Sequence, residues 1–302
     1  MCDAHGVSLD YSGATRGAPG NLPARIAPVI PRILVTNDDG YFSPGIQALA
    51  RALAPLGKVT IVAPSAEASA VGHALTLRRP LRLEEVSDGV YSVDGTPTDC
   101  VNIAISHVLR RAPDLVVSGI NKGLNIGDDV TYSGTVAGAL EGALLGHQAI
   151  SVSIAFTRGA WDFAPVATVA AEYAAALLAR PLPARTFLNI NAPQGPIKGV
   201  RVTVQAKRNH ITKVARRVDP RGRPYFWIEE AEDDWEPDPK SDHQAVKDGY
   251  ASVTPLQPDL TAFAAAGLVR GLPVRRQTPS EGKGQRAKGK GEVRGKRAKG
   301  RP

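Results

Sequence analysis

Short apolar runs of strand length alternate with helix-period segments from about residue 33 to residue 192, and this alternation leaves the chain few architectures. Residues 33–35, 59–62, 114–118, 150–154 and 186–190 are strand-like runs, and the stretches 43–53, 96–109, 134–146 and 165–180 between them carry apolar residues at helical spacing. A repeated strand–helix order predicts a mostly parallel sheet covered on both faces by helices. Residues 75–83 read as a further strand, interrupted at Pro80, with 90–93 as its partner. Beyond residue 200 the pattern changes to short β-like runs at 200–204, 225–228 and 250–254, which read as hairpins projecting from the core, and a last short helix at 260–268.

The expected fold is therefore an α/β, Rossmann-like three-layer sandwich with C-terminal β-hairpin extensions. Residues 1–31 are rich in Gly, Ala and Pro and are expected to be a poorly ordered extension; 32–272 form the α/β domain, and 273–302 a basic disordered tail. The formal net charge is +8, but that tail alone carries 11 Lys and Arg against 2 Asp and Glu, or +9, so the rest of the chain is close to neutral at −1. A nonspecific polyanion contact is thus an expectation for the tail alone. Cys2 and Cys100 are the only cysteines, which leaves no disulfide framework and no cysteine metal site. No stretch approaches the roughly 18 uncharged apolar residues of a membrane span, and residues 1–30 lack a secretory apolar core. A cytoplasmic protein without a membrane partner is expected.

The chemistry concentrates at the end of the first strand, in Ile33-Leu-Val-Thr-Asn-Asp-Asp-Gly40. Open parallel sheets place their ligand crevices at the carboxyl ends of strands, where Asn37, Asp38 and Asp39 fall. One acid would suffice to cap the next helix, and Ser43, followed by Pro44, already fills that place. Two adjacent carboxylates suit Mg²⁺ or Mn²⁺, which take hard oxygen ligands. Loops leaving the same sheet edge offer Ser65, Ser69 and His73, then Asn121, Asn125, Asp128 and Asp129. Ser133-Gly134-Thr135 opens a helix with small residues, a place where free backbone N–H groups hold anions. His73, with Asn37, Asn125, Ser133, Gly134 and Thr135, is a candidate phosphate contact. Cys100 sits on an apolar helical face and reads as core, and Trp161, Trp227 and Trp235 as loop or interface residues.

Four separated motifs coincide, in order, with one family. Ile33-Leu-Val-Thr-Asn-Asp-Asp-Gly40 is followed by Ser43-Pro-Gly-Ile46, Val62-Ala-Pro64 leads through Ser69 to Leu75-Thr-Leu77, and then come Gly95-Thr-Pro-Thr-Asp-Cys100 and Val117-Ser-Gly-Ile-Asn121 through Tyr132-Ser-Gly-Thr-Val136. The chain resembles the SurE, or stationary-phase survival protein, family of metal-dependent nucleotidases over roughly residues 32–268. The resemblance implies one divalent metal ion per subunit, Mg²⁺ or Mn²⁺, held by Asp38, Asp39, Ser69 and Asn121. It also implies hydrolysis of nucleoside 5′- and 3′-monophosphates, sometimes short polyphosphate, by a homodimer or homotetramer built partly from exchanged C-terminal segments. Asp38 and Asp39 are then the catalytic pair. Ser65-Ala-Glu-Ala68 departs from the basic, polar run that family members often carry there. Two other readings are a haloacid-dehalogenase-like phosphatase, whose acids are spaced by one residue rather than adjacent, and a nonenzymatic nucleotide- or RNA-binding module that uses the tail.

Overall fold

The computed structural model describes residues 30–208, 213–229 and 235–272; the expectations for the N-terminal extension through residue 29 and for the tail from 273 lie outside them. Nine strands form one sheet: β1 (Arg32–Thr36), β2 (Lys58–Pro64), β3 (Leu83–Ser87), β4 (Val90–Val93), β5 (Leu115–Lys122), β6 (Gln148–Ile154), β7 (Phe187–Ala192), β8 (Val200–Val202) and β11 (Ala251–Leu256). Their order is β3-β4-β2-β1-β5-β6-β7-β11-β8. The six strands from β4 to β7 run parallel, and β3 and β11 are antiparallel to their neighbours β4 and β7.

The alternation of side chains along β1 explains the three layers, because each face of the strand feeds a separate core. Ile33 and Val35 point into a cluster with Ile46, Leu49 and Leu53 of α1 (Pro44–Leu53) and Val166, Ala170 and Ala174 of α4 (Ala164–Ala179). Leu34 points the other way, toward Cys100 and Val101 of α2 (Pro97–Ile103) and Val136, Ala139 and Ala143 of α3 (Gly134–Leu144). β5 divides in the same manner, Leu115 and Val117 against Val116. All of these strand residues are essentially inaccessible to water, as expected of a sheet covered on both faces.

Two features of the helices bring them unusually near the sheet. A Cβ on Gly142 would lie 2.8 Å from Cβ of Val116, and one on Gly138 would lie 2.8 Å from Oγ of Ser118. Each helical glycine sacrifices up to about 1 kcal/mol of helix stability relative to alanine, and in return α3 lies directly on β5. On the opposite face, a Cβ on Gly45 would lie 2.2 Å from the Ile120 carbonyl, which seats the start of α1 against the end of β5. The first turns of α1 and α3 thus straddle the carboxyl ends of β1 and β5.

Several boundaries differ from the sequence reading. Residues 75–82 are not a strand: Thr76 spends its backbone N–H and hydroxyl on Asp99, at 2.9 and 2.7 Å, and pairing with β4 begins only at Leu83. The glycine-rich segment after 118 is not all loop, since β5 runs on to Lys122 beside β6 with a register irregularity between Ser118 and Asn121. Of the three late β-like runs, only 225–228 becomes a hairpin, as β10 (Pro224–Glu229) against β9 (Lys213–Val218). The other two, β8 and β11, extend the main sheet. The short helix α5 (Asp242–Lys247), capped by Ser241, has no counterpart in the sequence reading. Residues 259–272 belong to a separate compact unit consisting of a 3₁₀ turn, Phe263–Ala265, and α6 (Ala266–Arg270). Among the described residues, no helix is long and apolar enough to cross a membrane.

Candidate active site

The strand order passes from β2 through β1 to β5, so chain connections leave in opposite directions on either side of β1, and a crevice opens at the carboxyl ends of β1 and β5. The register pairs Thr36 with Ser118, which sets Asn37, Asp38 and Asp39 next to the segment ending in Asn121 and Lys122. Asn37 fixes the turn: its Nδ2 donates to the Gly40 carbonyl at 3.0 Å and to Oγ of Ser43 at 2.9 Å. Ser43 accepts in turn from Ile46 N–H, so the acidic loop is anchored on the first turn of α1. Gly40, at φ +97°, supplies the left-handed residue that lets the chain reverse there.

Asp38 is 4% exposed. The hydroxyl of Thr135 donates to its Oδ1, and the Thr135 backbone N–H also donates to its carboxylate, so Asp38 is held at the N-terminus of α3. Gly134 makes the approach possible, because a Cβ there would lie 2.9 Å from Cβ of Asp38 and 3.2 Å from the Ala68 carbonyl. Despite these donors, burial raises the Asp38 pKa from the usual carboxylate value to about 6, with the neighbouring charge of Asp39 acting in the same direction. Asp39 is also raised, first by burial; Lys122 opposes this with its charge and its backbone N–H, and Glu67 adds to it.

The loop after β2 closes the site from the side. Ala68 N–H donates to the Asp38 carbonyl at 2.8 Å, which places Ser69 one residue away, and Oγ of Ser69 donates to Oε1 of Glu67 at 2.8 Å. Asn121 donates Nδ2 to the Gly123 carbonyl at 2.9 Å, leaving Oδ1 as the acceptor end of its amide. Of the ten candidate residues, Asp38, Asp39, Ser69, Asn121, Gly134 and Thr135 thus converge on one crevice. Asn37 and Ser133 act on the backbone around it, Ser133 as the cap of α3, accepting from Val136 N–H at 3.0 Å.

The other two candidates belong to different networks. Nε2 of His73 lies 2.6 Å from Oε2 of Glu141, and the other oxygen, Oε1, accepts from Nδ2 of Asn102 at 2.7 Å. Glu141 is two turns along α3 from Gly134, about 10 Å at 1.5 Å per residue. Asn125 is buried at the ends of β6 and β7, donating Nδ2 to Ser153 at 2.7 Å while its carbonyl accepts from Asn189 and Asn191. Lys122 and Glu67 are site residues that the sequence reading did not single out. Lys122 directly follows Asn121 at the strand end, and Glu67 stands inside the run that departs from the family pattern.

The donors present fit a hard divalent cation. Oδ2 of Asp39 and Oδ1 of Asn37 are buried acceptors with no hydrogen-bond partner among the described residues, and the adjacent carboxylates of buried Asp38 and half-buried Asp39 strain against each other without a cation. Among those residues, no group of three or more His, Cys, Asp or Glu is assembled for a metal. The set is therefore two carboxylates completed by hydroxyl and amide oxygens, which suits Mg²⁺ or Mn²⁺ better than zinc.

Fold and site together define a doubly wound α/β protein with an acidic, oxygen-rich crevice at the point where the strand order reverses. The family model described as Survival protein SurE matches residues 33–212, and the chain belongs to that family. It is 51% identical over 240 residues, 78% of this chain and 97% of the relative, to a protein of Pelobacter propionicus named 5′-nucleotidase SurE. A Geobacter sulfurreducens protein of the same name is 49% identical over 253 residues, covering 83% of this chain and 97% of the relative. The crystal structure of the SurE protein from Aquifex aeolicus superposes with a TM-score of 0.72 at 44% identity, covering 80% of this chain and 98% of that one.

Proposed function

We propose that the chain is a 5′-nucleotidase that releases phosphate from nucleoside 5′-monophosphates with one divalent ion, Mg²⁺ or Mn²⁺, per chain, and that 3′-monophosphates and short polyphosphate are further substrates. The observation that carries the reading is the pair of buried Asp38 and half-buried Asp39 at the reversal point of the strand order, with Oδ2 of Asp39 unpartnered among the described residues. The name borne by the relatives supports the nucleotidase assignment.

Asp38, Asp39, Ser69 and Asn121 would hold the ion. When bound, it supplies Lewis-acid charge to a phosphoryl oxygen and lowers the pKa of a coordinated water. The protein residues do the positioning. Thr135 fixes the rotamer of Asp38 by donating to it from hydroxyl and backbone, which favours Asp38 as a ligand over Asp38 as a nucleophile. The N-terminus of α3, with Ser133 and Gly134 beside Thr135, favours a bound phosphate through its dipole. Lys122 offsets negative charge beside Asp39. Asn37 keeps the turn that presents both acids.

The exposed apolar side chains of the hairpin, with Phe226, Trp227 and Ile228 all more than half accessible, support a homodimer or homotetramer, and the free buried thiol of Cys100 accords with a cytoplasmic setting. Phosphate release from AMP, followed with and without EDTA in wild type and Asp38→Asn, tests the assignment. Release that needs the metal and disappears in the variant is expected; release that survives both treatments refutes it.

A further inference from the structure

We propose that a cavity adjoining the acidic crevice is the site for the heterocyclic base of the substrate, with Phe156 as its stacking platform; the inference rests on the nucleotidase reading above. The cavity has a volume of about 420 Å³, within the range usual for small-ligand sites, and Gly123, Phe156, Arg208, Trp235, His243 and Lys247 are among the residues that line it. It begins at Gly123, one residue beyond the strand end that touches Asp39. Gly123 follows Lys122, whose backbone N–H reaches the Asp39 carboxylate, and its carbonyl accepts from Asn121. The opening thus adjoins the strand end that carries the acidic crevice, where the nucleoside of a phosphate bound at that crevice would have to be accommodated. The backbone of Gly123 is uncrowded, since the one atom within 4 Å of a Cβ there would be Nδ2 of Asn121, 3.7 Å away.

The walls suit a flat, π-faced, polar-edged group. Phe156, just beyond β6, is 69% exposed, and its ring meets Trp161 edge-on at 5.8 Å, which leaves a face for a partner. Trp235 stacks on His243 with centroids 4.9 Å apart and planes 15° apart, and the Arg208 guanidinium lies 5.2 Å from the Trp235 centroid. Nε1 of Trp235 is a buried donor without a hydrogen-bond partner among the described residues. Stacking surfaces of this kind accept every base, because each base has a π-face, so a broad preference among purines and pyrimidines is expected.

The test compares kcat/KM for AMP with that for glycerol 2-phosphate, a phosphomonoester that has no ring to stack. Phe156→Ala is expected to lower the AMP to glycerol phosphate ratio about 5- to 100-fold, Phe156→Trp to restore it, and competitive inhibition by adenosine to weaken in step with the ratio. A Phe156→Ala ratio equal to wild type, with adenosine inhibition unaltered, overturns the proposal. If wild type hydrolyses neither ester, the hydrolase reading itself fails, and calorimetric titration of adenosine into wild type and Phe156→Ala still decides the cavity: equal binding by the two proteins overturns it.

Discussion

Asp38→Asn should make the metal-free protein more stable while abolishing its activity, and the size of the gain follows from the burial of the carboxylate. The Asp38 pKa in the folded chain is raised from 3.8 to about 6. A group whose folded pKa lies above its unfolded value favours the protonated folded state, so its ionisation destabilises the fold. The penalty is absent below about pH 4, grows as pH rises toward 6, and is complete above that. A shift of about two units corresponds to roughly 3 kcal/mol. Asparagine removes the charge and keeps one oxygen to accept from Thr135, but a single oxygen must now serve both Thr135 donors. Losing about 1 kcal/mol of hydrogen bonding leaves a gain near 2 kcal/mol. For a chain of this size that is a rise in Tm of about 4–8 °C. Thermal and urea denaturation in EDTA, at pH 8 and again at pH 4, is the assay. The variant is expected to be more stable at pH 8, with the difference closing at pH 4. A variant less stable than wild type at pH 8 in EDTA refutes the argument that Asp38 is held at a cost to the fold.

Three other substitutions follow from the same geometry. Thr135→Val keeps the volume and the backbone donor but removes the hydroxyl that orients Asp38, and should weaken Mn²⁺ affinity about 10- to 100-fold; metal titration of activity reads this out. Gly45→Ala pushes a Cβ to 2.2 Å from the Ile120 carbonyl, so the first turn of α1 must lift off β5; a loss of ~3 kcal/mol is expected in urea unfolding. Glu141 is held below the usual glutamate value, first by the hydrogen bond from His73 and then by Asn102. That stabilisation is present above pH 4.5 and lost as pH falls through the lowered folded pKa, so Glu141→Gln should cost about 1.5–3 kcal/mol near neutrality, and progressively less in acid. Because Glu141 lies away from the acids, its kcat should change far less than its stability.

The fold was legible wherever local pattern and tertiary context agree. Ile33 to Val35 and Leu115 to Val117 are unbroken apolar runs because both sheet faces are covered, and Ser43-Pro44 and Ser133 announce the starts of α1 and α3 through cap chemistry. Leu75 and Leu77 misled because their alternation mimics a strand, while the backbone there is diverted to Asp99 by Thr76. Joining β8 and β11 to the sheet depends on pairing across some fifty residues, with Val253 matched to Val202, which no short window contains.

The metal-ligand candidates were readable as strand-end polar residues, whereas their environment was not. Burial of Asp38 under α3 depends on Gly134, Gly138 and Gly142 allowing a close approach, and a glycine in sequence does not say what it touches. His73 and Asn125 illustrate the converse. Each stands beside the right motif, but Glu141 takes one and Ser153 the other. Lys122 entered only when β5 proved to extend to it, which set its N–H on Asp39.

Isothermal titration of Mn²⁺ into EDTA-treated, dialysed protein tests the central claim most directly. One ion per chain in wild type, with no measurable uptake in Asp38→Asn or Asp39→Asn, is the predicted result. Equal uptake by wild type and both variants would contradict the assignment of the Asp38–Asp39 pair as the metal anchor.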